Sequence, residues 1–300
     1  MRYSISDLEQ LTGVQTHTIR IWERRYNALK PMRSAGNTRF YDDQQLKRLL
    51  NIVSLSNTGL KISRVCALSE SEMNALLEQE ITTYHSSDSQ YEYFISQLLK
   101  YGLAYDEIRF DELISVAITD FGLKDTYLNV IYPMLMRLGL MWQTDNICPG
   151  QEHFLSNMIR QKIYASIDQI VIEPNPASNW LLFLPEDEDH ELGLLFANYL
   201  LKLSGQKVIY LGPKVPLDSV KDALDHIHVD HLLLFMVKTR TSADATTYLK
   251  ELGNRFENHP VLVAGSSKML GDQNMRGNLS WLSSIYDLEQ IILKIQDAKK

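Results

Sequence analysis

Glu188-Asp189-His190-Glu191-Leu192-Gly193 follows the apolar run Trp180-Leu181-Leu182-Phe183-Leu184 and precedes an apolar segment with Leu194, Ala197, Leu200 and Leu201. A short, uninterrupted apolar run reads as a strand buried on both faces, and the spacing after Gly193 reads as a helix ended by Ser204-Gly205. The six residues are then the turn at the carboxyl end of a strand, where open α/β sheets bind ligands. A histidine there can offer one ring nitrogen to a metal while an acidic residue two positions earlier orients the other. Gly193 would let a bulky ligand approach the backbone.

Working outward, Val208 to Leu211, Leu232 to Val237 and Val261 to Val263 are equally short, apolar and rich in β-formers, with helical segments between them. Trp281-Leu282-Ser283-Ser284-Ile285 would supply a fifth strand before a terminal helix from Asp287. This predicts a Rossmann-like α/β doubly wound parallel sheet over 178–300. No Gly-x-Gly-x-x-Gly run occurs, so a dinucleotide site has no support.

At 300 residues, 45% of them hydrophobic, the chain is long enough for two or three globular domains. Its two cysteines, Cys66 and Cys148, form neither a disulfide framework nor a zinc pattern. Polar, periodic sequence at the start and the lack of a membrane-length apolar run lead to the expectation of a cytoplasmic protein. The formal charge of −7 argues against a chain that coats nucleic acid throughout. From Met1 to Leu50, however, nine basic residues face five acidic ones, a net +4 that leaves −11 for the remainder.

That basic head has a helix-turn-helix pattern. Ser4 or Ser6 can cap a helix through Leu8 and Leu11, Gly13 gives a tight turn, and Thr16 can cap a second helix, Thr18 to Tyr26. Thr16, His17, Arg20 and Arg24 then lie on another face from a small core of Ile5, Leu8, Leu11, Val14, Ile19 and Trp22. Pro31 and Gly36-Asn37 bound a short hairpin, or wing, with Arg33 and Arg39. Thr18-Ile19-Arg20-Ile21-Trp22-Glu23, Pro31-Met32-Arg33 and Arg39-Phe40-Tyr41 closely resemble the N-terminal domain of MerR-family transcription regulators. The resemblance implies double-stranded operator DNA as partner, contacted by Thr16, His17, Thr18, Arg20, Trp22, Arg24, Arg25, Arg33, Arg39 and Tyr41. Helices from Asp42-Asp43 and Gly59 would complete a head over 1–72, followed by a polar linker over 73–90.

From 91 to 172 four apolar stripes at helical spacing predict a four-helix bundle: Phe94, Leu98 and Tyr101; Phe110, Leu113, Ile114 and Ala117; Leu128, Ile131, Leu135 and Leu138; Phe154, Met158, Ile159 and Ile163. Trp142 is followed ten positions later by Glu152 and His153. By themselves these could pack between helices and cap the last one.

Glu188-x-His190-x-x-Gly193 is similar to the histidine signature of cobalamin-binding domains. With the tryptophan and Glu-His pair upstream, and a MerR-type head before both, the chain resembles the adenosylcobalamin-dependent photoreceptor repressors of carotenoid genes. That resemblance implies a cobalamin between bundle and sheet, with His190 as the lower ligand of cobalt and Trp142, Glu152 and His153 lining the upper face. Glu188, Gly193, Gly265 and Ser266 would complete the cofactor site.

Departures are visible too. Met236-Val237-Lys238 stands where cobalamin domains usually offer Ser/Thr-x-Leu to the nucleotide tail, Ala264-Gly265 replaces a glycine pair, and Gln143 replaces a histidine that can take the upper cobalt position. The expectation is a non-enzymatic, cobalamin-controlled repressor acting as a homo-oligomer, dimer or tetramer, away from membranes. Two rivals remain: a ligand-free oligomerisation or docking module, favoured by Lys238 and Gln143, and a corrinoid carrier of a methyltransferase system, against which the basic head argues.

Overall fold

The computed structural model describes residues 2–34, 36–57, 59–80, 87–142, 147–171, 174–238, 240–265, 275 and 277–298, without the side chains of 78–80, 87–89 and 140–142. The chain divides into two compact units, Met1–Ile159 and Arg160–Lys300.

In the first unit, helix α1 (Ile5–Thr12) starts at a capping box in which Ser4 Oγ accepts from the Asp7 amide at 3.2 Å and the Asp7 carboxylate accepts from the Ser4 amide at 2.6 Å. Gly13 ends it at φ +71°, a left-handed conformation that favours glycine. Helix α2 (Thr16–Tyr26) follows. Thr16 is its first helical residue rather than its cap, a position held by Gln15 without a side-chain bond. Strands β1 (Met32–Arg33) and β2 (Arg39–Phe40) pair antiparallel as the expected wing. Helices α3 (Asp43–Asn57) and α4 (Ile62–Ala67) complete the head. Of the six core residues expected, Leu8, Leu11 and Ile19 are fully buried, while Ile5, Val14 and Trp22 are half-buried.

The segment read as a linker over 73–90 contains much of helix α5 (Glu70–Glu80) and the start of α6 (Ser87–Leu103). Helix α5 has its own capping box: the Ser69 amide donates to Glu72 at 2.8 Å and the Glu72 amide to Ser69 Oγ at 3.3 Å. Met73 and Leu77 are its buried anchors. Helix α7 (Glu107–Thr126) is broken at Gly122, whose φ of +78° and ψ of 159° are non-helical. A π-helical turn over Tyr127–Ile131 leads into α8 (Tyr132–Trp142), so the third apolar stripe spans two helical types. Pro133 has no amide hydrogen to continue an α-helical ladder there. The last helix, α9, runs from Pro149 to Asp168.

Helix α3 packs against α6, and α1 against α8. Head and bundle therefore pack together within one compact unit. Arg137 of α8 reinforces the join, donating to the Leu11 carbonyl at 3.5 Å and pairing with Glu92 at 2.6 Å.

In the second unit, β3 (Asn179–Phe183), α10 (Leu192–Leu203), β4 (Lys207–Gly212), α11 (Leu217–His226), β5 (His231–Met236), α12 (Ser242–Arg255), β6 (Val261–Gly265), β7 (Leu279–Leu282) and α13 (Ile285–Ala298) alternate as a doubly wound fold. The strand order is β4-β3-β5-β6-β7, parallel throughout. Trp180, Leu181, Leu182 and Phe183 are wholly buried, as helices on both faces of a sheet require. The fifth strand begins two residues before Trp281, and Ile285 opens the terminal helix instead of closing the strand. Because β3 lies between β4 and β5, the chain reverses its winding beside β3. The loop after β3 thus opens at the topological switch point. Among the described residues, no helix is long and apolar enough to cross a membrane.

Candidate functional site

The loop after β3 is organised by Glu188. Its side chain is 0% exposed, whereas the neighbouring His190 ring is 57% exposed. Glu188 Oε1 accepts from His190 Nδ1 at 2.5 Å and from the Asp189 and His190 amides at 3.2 Å. Oε2 accepts from the Val237 and Lys238 amides at 2.8 and 2.6 Å. Burial alone would raise the Glu188 pKa. The bonds from the His190 ring and from the Lys238, Val237 and His190 amides outweigh it and hold the carboxyl at about 2, below its ordinary 4.5.

An ionised carboxylate against Nδ1 keeps the proton on that nitrogen and fixes the ring, so Nε2 is the nitrogen suited to a metal. Glu188, Asp189 and His190 bring potential ligand atoms within 4.8 Å of one another. The many N–H groups on Glu188 make it an orienting group, so the cluster fits a single imidazole ligand with a carboxylate behind it. That is the donor arrangement expected for the lower face of a cobalamin.

Gly193 has a packing role: a Cβ on it would stand 2.8 Å from Phe235 Cε1, so α10 approaches β5 closely here. Lys238, part of the departure from the Ser/Thr-x-Leu pattern, contributes its amide to Glu188, and its ammonium donates to the Asp187 carbonyl at 3.3 Å. Gly265 ends β6, its carbonyl accepting from Trp281 Nε1 at 3.4 Å. Ser266 lies outside the described residues.

In the bundle, Glu152 and His153 sit in the first turn of α9. Glu152 Oε2 is 3.0 Å from His153 Nδ1, and Oε1 accepts from Ser156 Oγ at 2.5 Å. His153 is 73% exposed. Gln151 Oε1 accepts from the Cys148 amide at 3.1 Å, and Glu152 is the acidic residue of the first turn, where it suits the dipole at the N-terminus of α9. Trp142 is the last residue of α8; its side chain, and all of Gln143, lie outside the described residues.

In the head, His17, Arg20, Arg24, Arg25 and Arg33 are exposed, and Thr16, Thr18, Trp22 and Arg39 are half-buried. Arg24 Nε donates to the Arg20 carbonyl at 3.3 Å, and Arg33 to Asn37 Oδ1 at 2.5 Å, which places these cations on α2 and the wing. Tyr41 does not join them. It is 0% exposed, and its hydroxyl donates to the buried Glu23 at 2.5 Å, while Arg39 Nε stands 3.7 Å from the same carboxylate. Burial and Glu23 both push the Tyr41 pKa up. Tyr41 is thus a brace between wing and α2 and not a DNA-facing group.

Sequence reasoning missed two arginines. Arg160 pairs at 2.6 Å with Glu191, whose other oxygen accepts from Tyr210 at 3.1 Å, tying the residue after His190 to α9 and β4. Arg240, with a side chain only 8% exposed, pairs with Asp187 and stands 3.7 Å from Glu188. No spacing signal links either to the histidine loop.

Residues 3–71 match the MerR HTH family regulatory protein family, and residues 94–165, on α6 to α9, match the B12 binding domain. The HTH-type transcriptional repressor CarH of Myxococcus xanthus is 28% identical over 268 residues, covering 88% of this chain and 89% of that protein. The repressor CarA of the same organism is 27% identical, with 88% and 87% covered. The monomethylamine corrinoid protein of Methanosarcina barkeri shares the fold at a TM-score of 0.52 and 13% identity, covering 66% of this chain and 96% of that one. The chain thus joins a MerR helix-turn-helix domain at residues 3–71 to a B12 binding domain at residues 94–165.

Proposed function

We propose that the protein is a transcriptional repressor that binds operator DNA through α2 and the wing and is controlled by adenosylcobalamin, with light as the signal. The observation that carries the cofactor half is the 2.5 Å contact from His190 Nδ1 to the buried Glu188, which prepares an imidazole to ligate cobalt. The DNA half rests on the exposed Arg20, Arg24, Arg25 and Arg33 of a MerR-type head. When bound, adenosylcobalamin supplies a cobalt–carbon bond that light can break.

His190 would hold the cobalt through its Nε2, and Glu188 keeps its ring in one orientation. The roles of Trp142, Glu152 and His153 toward the adenosyl face rest on the sequence resemblance, and the exposed His153 beside the half-buried Glu152 is compatible with them. Arg20, Arg24, Arg25, Arg33 and Arg39 engage phosphates, with Thr16, His17 and Arg20 nearest base edges. Self-association would couple the two halves: a ligand that favours one subunit arrangement tethers several heads, and tethered heads bind DNA far better than one.

The test is the visible spectrum of the full chain mixed with adenosylcobalamin in the dark, desalted and then illuminated. A corrin spectrum should co-elute with wild type, change on illumination, and be lost or altered in His190→Ala. If wild type retains no corrin, the cofactor reading fails and only the DNA-binding half stands.

A further inference from the structure

The loop after β5 does something that neither the sequence motif nor the matched domains assign. Glu188 is a fully enclosed carboxylate, and an enclosed charge needs a counter-charge or a dense set of hydrogen bonds. The Val237 and Lys238 amides supply part of that set. Two nearby ammonium groups are directed elsewhere, Lys238 Nζ to the Asp187 carbonyl at 3.3 Å and Lys214 Nζ to the Asp189 carboxylate at 3.4 Å. Among the described residues, Arg240 is the one Lys or Arg side chain paired with Glu188. Its guanidinium also pairs with Asp187 and donates to the Lys238 carbonyl at 3.4 Å. One planar group thus joins the acidic loop after β3 to the loop after β5.

We propose that Arg240 is a positioning residue for His190, acting through Glu188: it draws Oε2 toward the β5 loop so that Oε1 faces His190 Nδ1. The third-strand loop, which departs from the pattern used to receive a nucleotide tail, has been turned into the back wall of the axial-ligand relay. The consequence for cobalt ligation rests on the cobalamin reading above; the effect on the ring does not. Arginine suits the task because its rigid fork can engage Asp187, Glu188 and the Lys238 carbonyl from one plane, which an ammonium cannot reproduce.

Two measurements on the full chain test this. In protein labelled with 15N-histidine and free of cobalamin, the His190 Nδ1–H resonance, identified by its loss in His190→Ala, should be observed in wild type. It should broaden or vanish in Arg240→Ala and partly return in Arg240→Lys. In the same proteins loaded with cob(II)alamin, electron paramagnetic resonance should show a doublet nitrogen splitting from the labelled histidine. That fraction should fall in Arg240→Ala, with cobalamin affinity lower by about tenfold to a hundredfold. Thermal melting shows whether each variant is folded, and Arg240→Lys carries the test should Arg240→Ala fail to fold. An unchanged Nδ1–H resonance in a folded Arg240 variant would overturn the proposal. If instead that resonance depends on Arg240 while wild type shows no histidine-derived splitting, the positioning role stands and the cobalamin reading falls.

Discussion

Gly193 lies so close beneath the ring of Phe235 that a Cβ there would stand 2.8 Å from Cε1 and 3.0 Å from Cδ1. Helix α10, which leaves the histidine loop, can meet β5 at this depth only because residue 193 has no side chain. Gly193→Ala should destabilise the second unit by about 1–3 kcal/mol, read as a lower urea midpoint. Adding Phe235→Leu should recover part of the loss. A Gly193→Ala protein as stable as wild type would show that the ring moves aside freely.

Glu188 makes the stability of the fold depend on pH. Its carboxyl is held at about 2 in the folded chain against an ordinary 4.5. The folded state therefore favours the ionised form. The resulting stabilisation is present above pH 4.5 and is lost as the pH falls through about 2. Glu188→Gln should lower stability at pH 7 by roughly 3 kcal/mol, and the gap to wild type should narrow between pH 4.5 and 2. Parallel stability curves for the two proteins would contradict this origin of the effect.

Tyr41 and Arg39 adjoin the same Glu23 carboxylate, yet their replacement should read differently. Tyr41→Phe leaves a buried carboxylate short of a donor, at a cost of about 1–3 kcal/mol. It should weaken operator binding without changing its salt dependence. Arg39→Ala should instead flatten the slope of log affinity against log salt by about one charge. Equal slopes for wild type and Arg39→Ala would remove Arg39 from the phosphate contacts.

Arg137 holds the end of α1 against α8 through the Leu11 carbonyl and Glu92. Its side chain is 16% exposed but that of Glu92 is 37% exposed, so solvent discounts the pair. Arg137→Ala should cost about 1 kcal/mol and make α1 more accessible to protease, measured by limited digestion. An unchanged digestion rate would mean that apolar packing alone fixes the helix.

The parts legible in the sequence were those that local chemistry specifies. Continuous apolar runs such as Leu232 to Met236 announce strands covered on both faces, and Glu188-x-His190 announces an oriented imidazole because both partners lie in one turn. Helix α5 was hidden because its apolar contribution is sparse, although Ser69-x-x-Glu72 is a capping box that could have found it. Tyr41 looked like part of a basic surface, since nothing local shows that Glu23, 18 positions away, claims its hydroxyl. Arg240 was beyond sequence reasoning because its pairing with Asp187 spans 53 positions and exists only once β3 and β5 are neighbours.

The packing of α3 on α6 and of α1 on α8 bears on how such a regulator could be re-engineered. Gln97 of α6 donates from inside the α3 interface to Ser54 Oγ at 2.8 Å. A chimera made by exchanging only the first 72 residues would therefore retain half of a polar seam and lose its complement. A transplant that respects the seam would carry α6, and the face of α8 around Arg137, along with the new operator specificity.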